Sequence, residues 1–237
     1  MAVTSNAPEA QERVLSTLNR DGTRRWIRPK LSKGKHYRRR LVTAWALIAI
    51  FTLIPILKLG GKPLMLFDIP KREFTFFGAT VLPTDTFLLM LLLVSIFIGI
   101  FLVTAVLGRV WCGWACPQTV YMEYLYRPLE VLIEGGRNRQ LELDAEGADA
   151  RRLIKNVVFL AVSAFLANTF LAYFVGWDQL LGWMTSPPTQ HPMAFAIMIG
   201  TTLLMFFDFA YFREQTCIVA CPYGRFQSVL LDKQSLI

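Results

Sequence analysis

Four long uncharged stretches divide this chain, and they leave few folds open to it. Phe87 to Leu107 runs 21 residues without a charge, and Val157 to Val175 runs 19. Leu41 to Leu57 is also uncharged. Met193 to Phe207 is broken by Asp208 and regains spanning length through Phe209 to Phe212. A helix crossing the hydrocarbon core needs about 20 apolar residues, and in lipid every backbone polar group must be satisfied within the structure itself. The pattern predicts an all-α membrane protein with four transmembrane helices. A mean hydropathy of +0.42, with 54% hydrophobic residues, exceeds that of ordinary soluble domains. The first stretch is not read as a cleavable signal peptide: it starts some 40 residues in, and no small-residue cleavage site follows Leu57.

Charge gives the orientation. Residues 1–40 hold eleven Lys/Arg, among them Arg24, Arg25, Arg28, Lys30, Lys33, Lys35 and the run Arg38-Arg39-Arg40. Next to a span, such a segment reads as a positive-inside signal in contact with anionic lipid rather than as a nucleic-acid site. The loop from Lys58 to Thr86 holds four Lys/Arg and Gly108 to Asn156 holds seven. The tail from Arg213 holds three, and Gly176 to Pro192 none. A cytoplasmic N-terminus places 21 of the 25 inside. The division is therefore a basic cytoplasmic segment, 1–40, and a four-helix transmembrane module, 41–237. The net charge of +8 describes membrane orientation.

The first outer loop has Gly60-Gly61, Pro63, Pro70 and Pro83 around Glu73 to Phe77, as expected of a short hairpin or interfacial segment. After Pro117, Val120, Tyr124, Leu125 and Leu129 fall at helical spacing, with Pro128 against the helix and Gly135-Gly136 to end it. Tyr173, Trp177 and Trp183 read as an interfacial aromatic belt.

All four cysteines lie in two copies of one pattern, Cys112-x3-Cys116-Pro117 and Cys217-x3-Cys221-Pro222. Each follows a span and an arginine, Arg109 or Arg213, so the two halves read as a duplication. Helical Cys-x3-Cys puts two sulfurs on one face. The chain crosses the membrane twice between the motifs, which returns both pairs to the cytoplasmic side. They would meet there if the second and fourth spans pack together. The reducing cytoplasm disfavours a disulfide. A soft metal, an iron–sulfur cluster or a redox-active thiol pair remains open. Arg109 and Arg213 are expected to lower thiolate pKa, and Pro117 and Pro222 to open the helix around the sulfurs.

Other candidates carry less. His36 reads as solvated and His191 as a loop residue. Met90, Met193, Met198 and Met205 read as packing rather than copper ligands. Asp208, a carboxylate in a membrane segment, is expected to pair with Arg213, one turn away. There is no nucleotide loop, catalytic triad or HExxH pattern.

At Trp111-Cys-Gly-Trp-Ala-Cys-Pro-Gln118 and Thr216-Cys-Ile-Val-Ala-Cys-Pro-Tyr-Gly-Arg-Phe-Gln227 the chain resembles the cytochrome c oxidase accessory protein family CcoG, also called FixG or RdxA. The resemblance includes Leu66 to Pro70 and Tyr124 to Pro128. It implies a bacterial inner-membrane polyferredoxin, multi-pass, with the N-terminus and both cysteine motifs cytoplasmic. The implied activity is reduction of Cu(II) to Cu(I) in support of cbb3-type oxidase assembly. The implied partners are oxidase-assembly factors and copper-transport proteins, with an unassigned electron donor. Family members continue into a ferredoxin domain, so the resemblance places [4Fe–4S] ligation mainly beyond residue 237. It leaves Cys112, Cys116, Cys217 and Cys221 as the membrane redox or copper-handling residues. The alternatives are a quinol-linked electron-transfer subunit, a copper carrier and a non-redox scaffold.

Overall fold

The computed structural model describes residues 26, 28–29, 34–59, 61–68, 73–76, 79–81, 86–107, 110–146 and 150–224. Helix dominates. Helix α1 spans Lys35–Leu53 and α2 Thr86–Leu107. A helical run follows the first cysteine motif: α3 Pro117–Tyr121, a π-helical turn Met122–Tyr126, and α4 Arg127–Glu134. Then come α5 Arg137–Glu146, α6 Ala150–Val175, α7 Trp177–Thr185 and α8 Pro192–Phe206. The last is prolonged by a π-helical turn, Phe207–Phe212.

Two helices among the described residues are long and apolar enough to cross a membrane, Ala150–Val175 and Pro192–Phe212. They pack along each other. A shorter apolar helical stretch, Met90–Val103, lies within α2. The first apolar block behaves differently from its sequence reading: the helix stops at Leu53, and Ile54 to Ile56 turn, as Pro55 dictates. Only 41–53 of that block is helical.

Between α1 and α2 the hairpin expectation holds. Strands β1 (Lys58–Leu59) and β2 (Lys62–Pro63) pair antiparallel about Gly61, whose φ of 82° suits glycine. Strands β3 (Met65–Asp68), β4 (Glu73–Phe76) and β5 (Ala79–Val81) form an antiparallel meander in which Leu66 faces Thr75 and Phe74 faces Val81. β3 leans on the end of α6, where Phe67 meets Phe174 at 6.1 Å. Lys58 also reaches Asp178 of α7 at 2.6 Å, so both outer loops share one end of the bundle. There Trp177 and Trp183 pack on buried Leu171, Ala172 and Leu180, as an interfacial belt would.

The main core surrounds the run after the first motif. Val120, Tyr121, Met122, Tyr124 and Tyr126 are buried against Ala44 and Ile48 of α1, Phe159 and Leu166 of α6, and Phe209. Tyr126 is stacked on Phe209 at 4.6 Å, edge-on to Phe159 at 5.0 Å, and hydrogen-bonded through its hydroxyl to Ser163 at 2.8 Å. Pro128 has no N–H to offer the preceding turn, and the helix widens into a π turn immediately before it. The expected amphipathic helix therefore persists through Pro128 and ends at Gly135, at φ 94°. Val120 and Tyr124 are buried, and Leu125 and Leu129 pack beside them.

Candidate functional site

The two cysteine motifs have the same backbone. Trp111–Ala115 and Thr216–Ala220 are each a single π-helical turn. Each closes when the second cysteine donates its N–H five residues back, Cys116 to Trp111 at 3.0 Å and Cys221 to Thr216 at 2.8 Å. Both second cysteines are extended, with φ, ψ of −63°, 122° at Cys116 and −78°, 111° at Cys221. The cause is local. A residue before proline is pushed out of the α region, and Pro117 then opens the next helix at its first position. The motif is thus a wide turn with a kinked exit, not the regular α-turn of the sequence reading. The expectation that the prolines open the helix is met.

None of the four cysteines is in a disulfide, and all are half-buried. Burial raises the Cys217 thiol first, and Cys116, Cys221, Cys112 and Asp208 push it further the same way, to about 11. Cys217 therefore lies within electrostatic reach of the other three sulfurs. The expectation that Arg213 lowers the thiolate pKa fails because that arginine is committed elsewhere. Arg109 lies outside the described residues.

Arg213 is 3% exposed and donates to Glu130 through Nη1 at 3.2 Å and Nη2 at 2.8 Å. Glu130 also receives Arg28 at 2.5 Å and Lys155 at 3.5 Å. Burial by itself would raise the Glu130 carboxyl, but Arg213, Arg28 and Lys155 outweigh it and hold it at about 2. Asp208 is not the partner of Arg213. Its carboxylate accepts from Thr216 Oγ1 at 2.5 Å, and its carbonyl accepts the Arg213 N–H at 2.5 Å. The arginine leaves the last span at φ 50°, which aims its guanidinium across to α4.

The motifs meet, but not through α2 and α8. The described side chains of α2 are mostly exposed, and the helix touches the rest chiefly through the first motif turn and by Phe101 against Tyr223 at 6.1 Å. The junction runs instead from Gln118, just after the first motif, whose Nε2 donates to the Arg213 carbonyl at 3.4 Å. Arg40 of α1 secures the first motif from its other side, donating to the Gly113 carbonyl at 2.6 Å and 3.1 Å with its guanidinium 6.0 Å from the Trp114 ring centroid. Gly224 packs tightly on the Cys217 carbonyl: a Cβ there would sit 2.6 Å from it.

Of the remaining candidates, His36 is exposed as expected, and His191 is exposed at the start of α8. Met198 and Met205 pack against the two cores, while Met90 and Met193 are exposed. Sequence reasoning passed over Arg40, Glu130, Lys155 and Tyr223. Only Tyr223 had a signal, since it directly follows Cys221-Pro222.

Four thiols are the donor set of a [4Fe–4S] cluster. Among the described residues, no three His, Cys, Asp or Glu side chains converge on a point for one metal ion. A cubane cluster takes one thiolate at each of its four irons, and so suits a wider set. The Tyr223 hydroxyl is buried without a hydrogen-bond partner among the described residues and lies within electrostatic reach of Cys112, Cys116 and Cys221. An orphan donor beside thiols is suited to a group bound among them.

Comparison with known proteins follows this division. A 4Fe–4S binding domain matches residues 89–138, and a 4Fe–4S dicluster domain matches residues 212–237. Each covers one cysteine pair, so cluster-domain similarity falls on this chain and not only beyond it. The chain is 35% identical over 198 residues to protein RdxA of Cereibacter sphaeroides, covering 80% of this chain and 42% of that protein. It is 31% identical over 226 residues to the nitrogen fixation protein FixG of Rhizobium meliloti, covering 90% and 42%. It belongs to the FixG/RdxA family. Protein RdxB of C. sphaeroides is 30% identical over 217 residues, with 88% and 45% covered. The chain thus spans less than half the length of these relatives. No solved structure matches it. Family and domain matches together support a membrane iron–sulfur electron-transfer protein.

Proposed function

We propose that this FixG/RdxA-family chain is a four-span redox module of the bacterial inner membrane, with Cys112, Cys116, Cys217 and Cys221 as its metal-binding residues. In this reading α1, α2, α6 and α8 with its π extension are the spans, and the N-terminus and both motifs face the cytoplasm. The observation that carries the proposal is the pair of matched π turns, each closing on an extended cysteine before proline and each covered by a 4Fe–4S domain match. Orientation is supported by the ion cluster of Arg28, Arg213 and Lys155 on Glu130, which gathers the basic segments at the cysteine end.

When bound, an iron–sulfur cluster supplies one-electron transfer. The chain's residues do the rest. The prolines fix the extended exits, Arg40 and Arg213 hold the turns, and Tyr223, two residues after Cys221, offers a hydroxyl with no hydrogen-bond partner among the described residues. The whole protein is proposed to reduce Cu(II) to Cu(I), taken here as substrate, for cbb3-type oxidase assembly. Thiolates suit Cu(I) as a soft ion, so capture of the product at the same cysteines is chemically coherent. Copper-transport proteins and assembly factors would be the partners.

Anaerobic iron, acid-labile sulfide and copper analysis with EPR, on this chain and on a variant with all four cysteines changed to serine, tests the reading. Iron and sulfide lost in the variant are expected. Copper without iron would make the site a copper-handling one, and neither metal in the intact chain would sink the metal-centre assignment.

A further inference from the structure

We infer that the cavity beside the first cysteine motif binds a lipid-soluble quinone. The cavity has a volume of about 410 Å³, within the range of small-molecule sites. Ala115 and Pro117, the two neighbours of Cys116, form part of its wall. Its remaining lining is carbon-rich and aromatic, with Phe51, Tyr173 and Phe174 among the rings. Ile50 and Phe170, also in the lining, are 53% and 40% exposed, so the cavity reaches the apolar surface of the bundle. A molecule dissolved in lipid can enter from the side.

Two tyrosines supply the polar side chains of the lining, and they differ. The Tyr173 hydroxyl is used, donating to the Phe51 carbonyl at 2.6 Å. Tyr121 is only 8% exposed, and its hydroxyl has no hydrogen-bond partner among the described residues. In a cavity lined by carbon and open to the apolar surface, that phenol gains a hydrogen bond from an occupant that accepts one. The occupant is thus flat enough to lie among aromatic rings, apolar enough to arrive through lipid, and equipped with a carbonyl acceptor. An acyl chain meets the second and third conditions, through its ester or carboxyl carbonyl, and fails the first, since it is not a flat ring that can lie among the aromatic side chains. Contact with the neighbours of Cys116 selects a redox-active ring among carbonyl compounds, and for that choice the inference rests on the redox reading above.

The test is photolabelling of the detergent-solubilised chain with an azido-quinone, with the attachment site mapped by mass spectrometry. Label in 47–54, 65–67, 115–121 or 170–174, displaced by decyl-ubiquinone but not by decanoic acid, is expected. Tyr121→Phe should weaken displacement by about fivefold, the scale of one lost hydrogen bond. Leu47→Trp, which fills the cavity from α1, should abolish the label while circular dichroism is unchanged. Equal displacement by decanoic acid would make the cavity an acyl-chain site and overturn the inference, as would label confined to other segments. The four-cysteine variant separates the two readings: label that persists there supports the quinone site whatever the metal analysis gives.

Discussion

The two cysteine motifs share a backbone and differ in nearly everything that holds it. At both, a π turn ends in an extended cysteine before proline, a geometry written into Cys-x3-Cys-Pro itself. The first motif is held by α1, through Arg40 on the Gly113 carbonyl, and its exit helix forms part of the core. The second is entered through a left-handed arginine whose charge is buried on Glu130. The shared Cys-x3-Cys-Pro pattern thus accounts for the turn, while each motif has a separate anchor. The first anchor is a pair of hydrogen bonds to a neutral carbonyl. The second is a buried ion pair inside a cluster of charges, and much more energy is at stake there.

The largest expected effect therefore lies at Arg213. Removing one partner of a buried ion pair strands the other, at a cost of about 3–5 kcal/mol. Arg28 and Lys155 remain on Glu130, so Arg213→Ala should fall near the lower figure, about 3 kcal/mol, in denaturant unfolding. Arg213→Gly loses the same pair but relieves the backbone at φ 50°, and should be milder by about 1 kcal/mol. Equal losses in the two variants would mean that the left-handed backbone is not under strain.

Acid should act on the second anchor and spare the first. Glu130 is held at about 2, below its ordinary 4.5. A depressed carboxylate contributes stability that is fully present above the unfolded value and is lost as pH falls through the folded one. From this group stability should be level above about pH 5 and decline between about 4.5 and 2, with the Glu130→Gln variant lacking that decline. The first anchor ends on the neutral Gly113 carbonyl and includes no carboxylate. A decline of the same size in Glu130→Gln would place the acid sensitivity elsewhere.

Such anchors mark the limit of what the sequence discloses. Apolar blocks foretell α6 and α8, because length and composition alone decide which helices suit lipid. Gly61 and the surrounding prolines foretell the hairpins, and Gly135 the end of α4, because each acts on its own backbone. The π turns were legible only in outline: proline signals that a helix must open, but not by how much. Glu130 lies 83 residues from Arg213, and no local pattern links them. The nearby Asp208 was the natural guess, and it failed because the backbone turns at Arg213 and carries the side chain away from it. Arg40 was hidden for a different reason: within Arg38-Arg39-Arg40 nothing distinguishes the residue that faces Gly113 from two that are exposed.

The smallest expected effect is the sharpest, because it changes sign. A Cβ built on Gly113 would lie 2.4 Å from Arg40 Nη2, and among the described residues no other group outside its own turn is within 4 Å. Gly113→Ala should therefore act only by displacing the guanidinium from the carbonyl. Arg40→Ala alone removes the same hydrogen bonds, and each single change should cost about 1 kcal/mol. Once Arg40 is gone, the added methyl meets open space, and alanine is a better helix former than glycine by about 1 kcal/mol. Gly113→Ala should then be neutral or stabilising in the Arg40→Ala background, where it is destabilising alone. A double-mutant cycle on unfolding free energies reads this coupling directly. Additive losses would mean that Gly113 is required by the π turn itself. In that case Ile218, its counterpart in the second motif, becomes the residue to explain.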